Sequence, residues 1–141
     1  MEQILINILN RIDDQVPGLS LVDEDYGQLE FVEDTYPVTF PCVLVGNINT
    51  DWEGTKQGCQ RGKATFTTRL AIDCYDDTHV SSGTTGKIAE RMALKKALVN
   101  ALQGFIPDNC ASPMFRQNSR DFSLAGGIKV YETTFRFSIH D

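Results

Sequence analysis

Lys63-Ala64-Thr65-Phe66-Thr67-Thr68-Arg69-Leu70-Ala71-Ile72-Asp73-Cys74-Tyr75 alternates without a break along its whole length. Ala64, Phe66, Thr68, Leu70, Ile72 and Cys74 fall on one phase of a two-residue period, and Lys63, Thr65, Thr67, Arg69, Ala71 and Asp73 on the other. Successive side chains of a strand point to opposite faces, so this is a long strand with one face on a core and the other toward water or a partner. Upstream, Cys42-Val43-Leu44-Val45-Gly46-Asn47-Ile48-Asn49 is apolar on both phases and then alternates, which predicts a strand buried where it starts. Between the two, Glu53 to Gly62 carries Gly54, Gly58 and Gly62 among polar residues and reads as an extended, mobile loop.

Working outward, Ile4, Leu5, Ile8, Leu9, Ile12 and Val16 recur at helical spacing and predict an amphipathic helix that ends near Pro17-Gly18. Leu19 to Val32 holds two short apolar pieces around the acidic turn Asp23-Glu24-Asp25-Tyr26-Gly27, the pattern of a small hairpin. Beyond the polar loop Asp76 to Gly86, the residues Ile88, Met92, Leu94, Leu98, Ala101, Leu102 and Phe105 trace a second helix, capped by Thr84 or Thr85 and closed by Pro107. Ser112 to Phe122, the turn Ala125-Gly126-Gly127 and Ile128 to His140 form a closing hairpin, with Tyr131, Thr133, Phe135, Phe137 and Ile139 on its buried phase. The expected fold is a single α+β domain over residues 1–141. Its mainly antiparallel sheet has about four strands plus the small hairpin, in the order α-ββ-ββ-α-ββ, with two helices on one face and the other face available for contacts.

A length of 141 residues suits one core, and 41% hydrophobic with 23% charged residues is the composition of a folding chain. A formal charge of −6 and a pI near 4.8 argue against adhesion to phosphate backbones, because sequence-independent nucleic-acid affinity comes from clustered Lys and Arg, and no specific nucleic-acid partner is expected. They are compatible with DNA passing close by without adhering. Met1 to Gln15 lacks the basic leader and apolar run of a signal peptide, and no window is apolar enough to span a bilayer, so no membrane partner is expected.

The chemistry-bearing residue types do not assemble into motifs. Cys42, Cys59, Cys74 and Cys110 contain no CxxC pair, and with only two histidines they predict no metal site; Cys42 and Cys74 fall on apolar phases and read as reduced core cysteines of a cytosolic protein. Gly83-Thr84-Thr85-Gly86-Lys87 resembles a phosphate loop, but Ser81 stands where its first glycine belongs and Ile88 where Ser or Thr should follow the lysine. Asp23-Glu24-Asp25-Tyr26-Gly27 is a fragment of a calcium loop without the remaining oxygens. His79 with Ser81, Ser82, Asp76 and Asp77 has the residue types of a hydrolase triad, clustered locally as real triads are not. The expectation is a protein that is not an enzyme, with no cofactor and no catalytic residue. Trp52, at the mouth of the glycine-rich loop, reads either as an interface anchor or as core filler. Arg116 and Arg120, spaced on one phase of a polar strand, either pair across a subunit boundary or face water.

The element order and several short patterns resemble the tail-terminator and tail-completion (head-tail joining) proteins of long-tailed phages and prophages. The matching features are the short first helix, the proline-flanked strand Pro37-Val38-Thr39-Phe40-Pro41-Cys42-Val43-Leu44-Val45, and the alternating strand ending in Asp73-Cys74-Tyr75-Asp76-Asp77. A helix ending in Leu102-Gln103-Gly104 and a final hairpin carrying Arg116 to Asp121 complete the pattern, while the Leu19–Val32 hairpin and the loop containing Cys59 have no counterpart. The resemblance implies a homo-oligomeric ring, usually a hexamer, that caps the tail tube and joins it to the head. Its implied partners are the tail-tube protein, the head-tail connector or adaptor and further copies of itself. Its implied location is the virion neck or tail, after synthesis in the bacterial cytoplasm. Ring and tube contacts would fall on the Lys63–Asp73 face and on Asp51–Gly62. The expected assembly residues are Asp51, Trp52, Thr65, Thr67, Arg69, Asp73, Arg116 and Arg120. A non-phage binding module of the same build and a small hydrolase using His79 stand as the alternatives.

Overall fold

The computed structural model describes residues 1–31, 36–54, 56–74 and 85–140. Helix α1 (Glu2–Gln15) buries Ile4, Ile8 and Ile12, one per turn, and stops where Val16 becomes extended ahead of Pro17 and Gly18. The sheet contains β1 (Leu21–Glu24), β2 (Cys42–Gly54), β3 (Gln60–Asp73), β4 (Phe115–Leu124) and β5 (Ile128–His140), in the spatial order β1-β2-β3-β5-β4. All neighbours are antiparallel except β1 and β2, which run parallel. Helix α2 (Thr85–Leu102) joins α1 on one face. The chain is thus an α+β fold with a mostly antiparallel sheet packed by two helices, as its periodicities predict.

The helix-covered face holds the main core. Phe66 and Phe135 stack with ring centroids 5.5 Å apart, Phe137 meets Phe66 edge-on, and Ile4, Ile8, Ile12, Leu98, Leu102 and Met114 close around them. These residues lie on the predicted buried phases of β3 and β5, since Phe66 pairs with Phe135 and Ala64 with Phe137. The opposite face departs from expectation. Half of it carries a second core of Leu29, Cys42, Leu44, Ala71, Ile128 and Val130, covered by Tyr36, Val38 and Phe40. Two covered faces at that end explain why Cys42 to Gly46 is buried without alternation. The cover is latched where the Tyr36 hydroxyl donates to the Ala125 carbonyl at 2.9 Å.

Three sequence expectations need correction. Leu19–Val32 is not a hairpin: Leu21 to Glu24 pairs in parallel with Cys42 to Val45, and Gln28–Glu30 is a 3-10 turn. The cause is Gln28, fully buried, whose amide donates to the Glu24 carbonyl and accepts from the Tyr26 N–H. Those bonds occupy backbone groups that a hairpin partner needs. Secondly, the strands run into Glu53–Gly62 from both ends, with Glu53 opposite Arg61 and Gly54 opposite Gln60, and Lys56–Gly58 forms a 3-10 turn. Gly62 serves packing there, because a Cβ on it would lie 2.8 Å from Thr50 Cγ2 and 2.9 Å from the Trp52 ring. Thirdly, Ile88 and Met92 of α2 are exposed, and its buried residues are Leu98, Ala101 and Leu102. The inner stripe passes instead through Arg91, which donates to Cys74 Sγ at 2.8 Å, and Lys95, whose ammonium lies 5.4 Å from the Tyr131 ring centroid. Long cationic side chains thus cover surface that an apolar pattern cannot register.

Replacing Phe66 by Ala removes one half of the stacked pair at the centre of the main core. Its expected cost is about 3–5 kcal/mol, read as a lower urea midpoint with an unchanged slope; a loss under about 1 kcal/mol would show that the pair is not the centre of packing.

Candidate assembly surface

On the face away from the helices, one transverse row of residues organises the charge. Arg69 of β3 faces Glu132 of β5, which faces Arg120 of β4. Arg69 Nε meets Glu132 Oε2 at 3.0 Å, and Arg120 Nε meets Glu132 Oε1 at 2.8 Å. The 25–30 turn adds Glu30 Oε1 at 2.6 Å and Asp25 Oδ2 at 3.7 Å from Arg69 Nη1. Gly46 makes room for this turn, since a Cβ there would lie 2.8 Å from Asp25 Cβ. Burial pushes the Glu132 carboxyl up, but hydrogen bonds from Arg120 and Arg69 outweigh it and hold the group below the usual range. Burial likewise pulls Arg69 down, and its bonds to Glu30 and Glu132 reverse the direction. On the helix side of the same two strands, Lys129 bonds Asp121 at 2.7 Å and lowers its carboxyl.

Beyond this row the same face is uncovered. Asp51, Lys63, Thr65, Phe115, Gln117 and Arg136 border a shallow depression of about 590 Å³. Thr67 lies between the depression and the ion cluster, tied to Asn47 by a 3.1 Å bond at the bulge in β2. Asn47 takes a left-handed conformation there, with φ of 53°.

The residues expected at an interface are therefore divided. Asp51 and Thr65 line the open half, with Thr67 beside them. Arg69 and Arg120 belong to the ion cluster, so both are engaged within the chain. Arg116 and Arg120 do not share a face, because a bulge between Arg116 and Asn118 places Arg116 opposite Phe135 and Arg120 opposite Glu132. Trp52 lies over Gly62 on the helix side of the β2–β3 hairpin and remains 43% exposed. Asp73 is exposed at the far end of β3.

Gln28, Glu30, Glu132, Phe115 and Arg136 are not among the residues expected at a site, and Asp25 enters there only as part of an acidic turn that resembles a calcium-loop fragment. Glu132 carried a weak signal, as a carboxylate on the outer phase of a strand that had to pair somewhere. The turn residues carried none, because the hairpin reading placed them in solvent.

Among the described residues, no three His, Cys, Asp or Glu side chains group so as to hold a metal ion. His79, Ser81, Ser82, Asp76 and Asp77 lie outside the described residues, as does Thr84 of the phosphate-loop-like stretch. His140 is exposed at the end of β5. Cys42 is buried, and burial pushes its thiol up to about 11, whereas Cys74 is half-buried. No helix among the described residues is long and apolar enough to cross a membrane.

No family model matches the chain, and no curated protein matches its sequence. Among solved structures the fold is similar to a chain from the virion of a native gene transfer agent particle, with a TM-score of 0.61 and 10% sequence identity. The match covers 98% of this chain and 92% of the other, so the likeness is of the complete fold.

The lowered Glu132 carboxyl makes a pH prediction. A group whose carboxyl is lower folded than unfolded stabilises the fold fully above its unfolded value, about 4.3, and that contribution is lost as pH falls through the folded value. Glu132→Gln should cost about 2 kcal/mol at pH 7, and the gap to the unsubstituted protein should close as the pH is lowered below about 4. Denaturant unfolding across that range tests it; a gap independent of pH would remove the charge from the explanation.

Proposed function

We propose that the chain is a structural subunit of a phage-like particle that works by self-association and protein contacts, and that it forms the ring terminating the tail tube and joining it to the head. The observation that carries this reading is the near end-to-end likeness of fold to a chain of the gene transfer agent virion. Fold alone does not fix function, and two features of the molecule support the step. The open half of the sheet offers a mixed polar and apolar surface around Phe115, Thr65 and Arg136, suited to protein contact. The net charge of −6 gives a ring lumen little affinity for DNA while letting it pass.

In this reading Asp51, Thr65 and Thr67 contact the neighbouring tail-tube protein or another copy. Trp52 is the aromatic anchor at the projecting hairpin, whereas Asp73, at the opposite end of β3, and Arg116, on the helix-side phase of β4, lie away from this contact. Arg69 and Arg120 act by holding the face in shape. The particle neck is the place of action, after synthesis in the bacterial cytoplasm.

Deleting the gene from a strain that produces the particles tests the role. Tail tubes of uncontrolled length, seen by electron microscopy, are the expected result for a terminator, and tails of normal length detached from heads are expected for a joining ring. Normal particles in normal number would overturn the proposal.

A further inference from the structure

The non-helical face has the profile of a step. Its covered half is raised by the 25–30 turn drawn over Arg69 and by Tyr36, Val38 and Phe40 above the second core. Its other half is the bare depression bordered by Asp51, Lys63, Thr65, Phe115 and Arg136. On the raised half stands Tyr26, 69% exposed, the most exposed large apolar side chain among the described residues. The turn that carries it is held from within. The Tyr26 N–H donates to Gln28 Oε1 at 2.8 Å, the Gln28 amide donates to the Glu24 carbonyl at 2.8 Å, and the Gly27 N–H donates to Asp25 Oδ1 at 3.1 Å. Those bonds use backbone and side-chain groups around the Tyr26 ring and leave the ring itself outward. A tyrosine fixed on a rigid turn has little freedom left to lose on binding, which is the property of an interface anchor.

The two halves of the step also differ in charge. On the raised half Asp23, Asp25, Glu30 and Glu132 outnumber Arg69 and Arg120, so the ion cluster keeps a negative excess. Around the depression Lys63, Arg136 and, at its hairpin end, Arg61 outnumber Asp51 and Glu53. Among the described residues Arg136 forms no ion pair, and Lys63 meets exposed Glu53 at 3.6 Å, a pairing of little worth in solvent. Two copies laid face to face about a two-fold axis along the step put the raised half of each over the bare half of the other. A step is complementary to its own image under that rotation, and so are two halves of opposite charge.

We propose that the partner of the open half-face in the free chain is a second copy of this chain, with the Tyr26 turn of each copy seated in the other's depression and Lys63 and Arg136 facing the carboxylates beside Tyr26. This rests on the self-association proposed above and names its surface. The contact is isologous and closes at two copies, so it holds the free chain as a dimer whose open half is released when the ring forms.

Sedimentation velocity over a concentration series tests the contact, with thermal unfolding of each dilute protein to establish that it is folded. The unsubstituted chain should pass from one copy to two and no further. Tyr26→Ala and Arg136→Glu should each raise the dissociation constant of the dimer roughly tenfold or more. Arg116→Glu changes the net charge equally but on the helix-side phase of β4, and should leave the constant unchanged. Mixing the Tyr26→Ala and Arg136→Glu proteins should restore association, because a mixed dimer keeps one contact whole and gathers both losses in the other. Should the unsubstituted protein dimerise and Tyr26→Ala dimerise equally well, or the mixture associate no better than either variant alone, the seating of Tyr26 is wrong while self-association stands. Assembly of the unsubstituted chain beyond two copies would overturn the two-fold contact and likewise leave self-association standing. Should it stay monomeric at every concentration, self-association itself fails, and this contact with it.

Discussion

Arg69 is the point from which the shape of the non-helical face follows. Its guanidinium lies in the middle of a sheet face, where a lone buried charge would be strongly unfavourable, and Glu132, Glu30 and Asp25 converge on it. Glu30 and Asp25 belong to the turn after β1, so satisfying Arg69 draws that turn over the sheet. The chain is then placed to lay β1 beside β2 and to pass Leu29 and Phe40 across the second core. The ion cluster itself adds little net stability compared with an apolar substitute of equal volume. Its effect is positional: it decides which half of the face is covered, and the apolar residues beneath the cover supply the energy.

That division has functional consequences. A sheet covered by helices on one side and half-covered on the other has three places left for contact: the open half-face, the projecting hairpin with Trp52, and the two outer strands. Exposed edge strands are a hazard in soluble proteins, commonly managed by short length or by charge. Here β1 is four residues long and acidic, and β4 carries exposed Arg116 and Arg120.

Much of this was legible in the residues. The alternation of Lys63 to Tyr75, the buried phase of Tyr131 to Ile139 and the spacing of Ile4, Ile8 and Ile12 each report one element packed against one core, and each reads directly. What could not be read depended on more than one element at a time. Gln28 turns an apparent hairpin into a 3-10 turn through bonds of its own side chain. The bulge after Arg116 reverses the phase of one arginine relative to the other, and a strict two-residue count cannot see it. Arg91 and Lys95 take inner positions on α2 that a count of apolar residues assigns to Ile88 and Met92. The candidate surface is legible at Asp51, Thr65 and Thr67, whereas the Arg69–Glu132–Arg120 row becomes visible only with the strand register.

Amide hydrogen exchange of the dilute and the concentrated protein reads most directly whether copies of this chain associate through the sheet face that the helices leave open. Association there slows exchange on concentration around Asp51, Thr65 and Phe115, with α1 and α2 unchanged. Protection gained only on the helix faces, or no gain at any concentration, would contradict it.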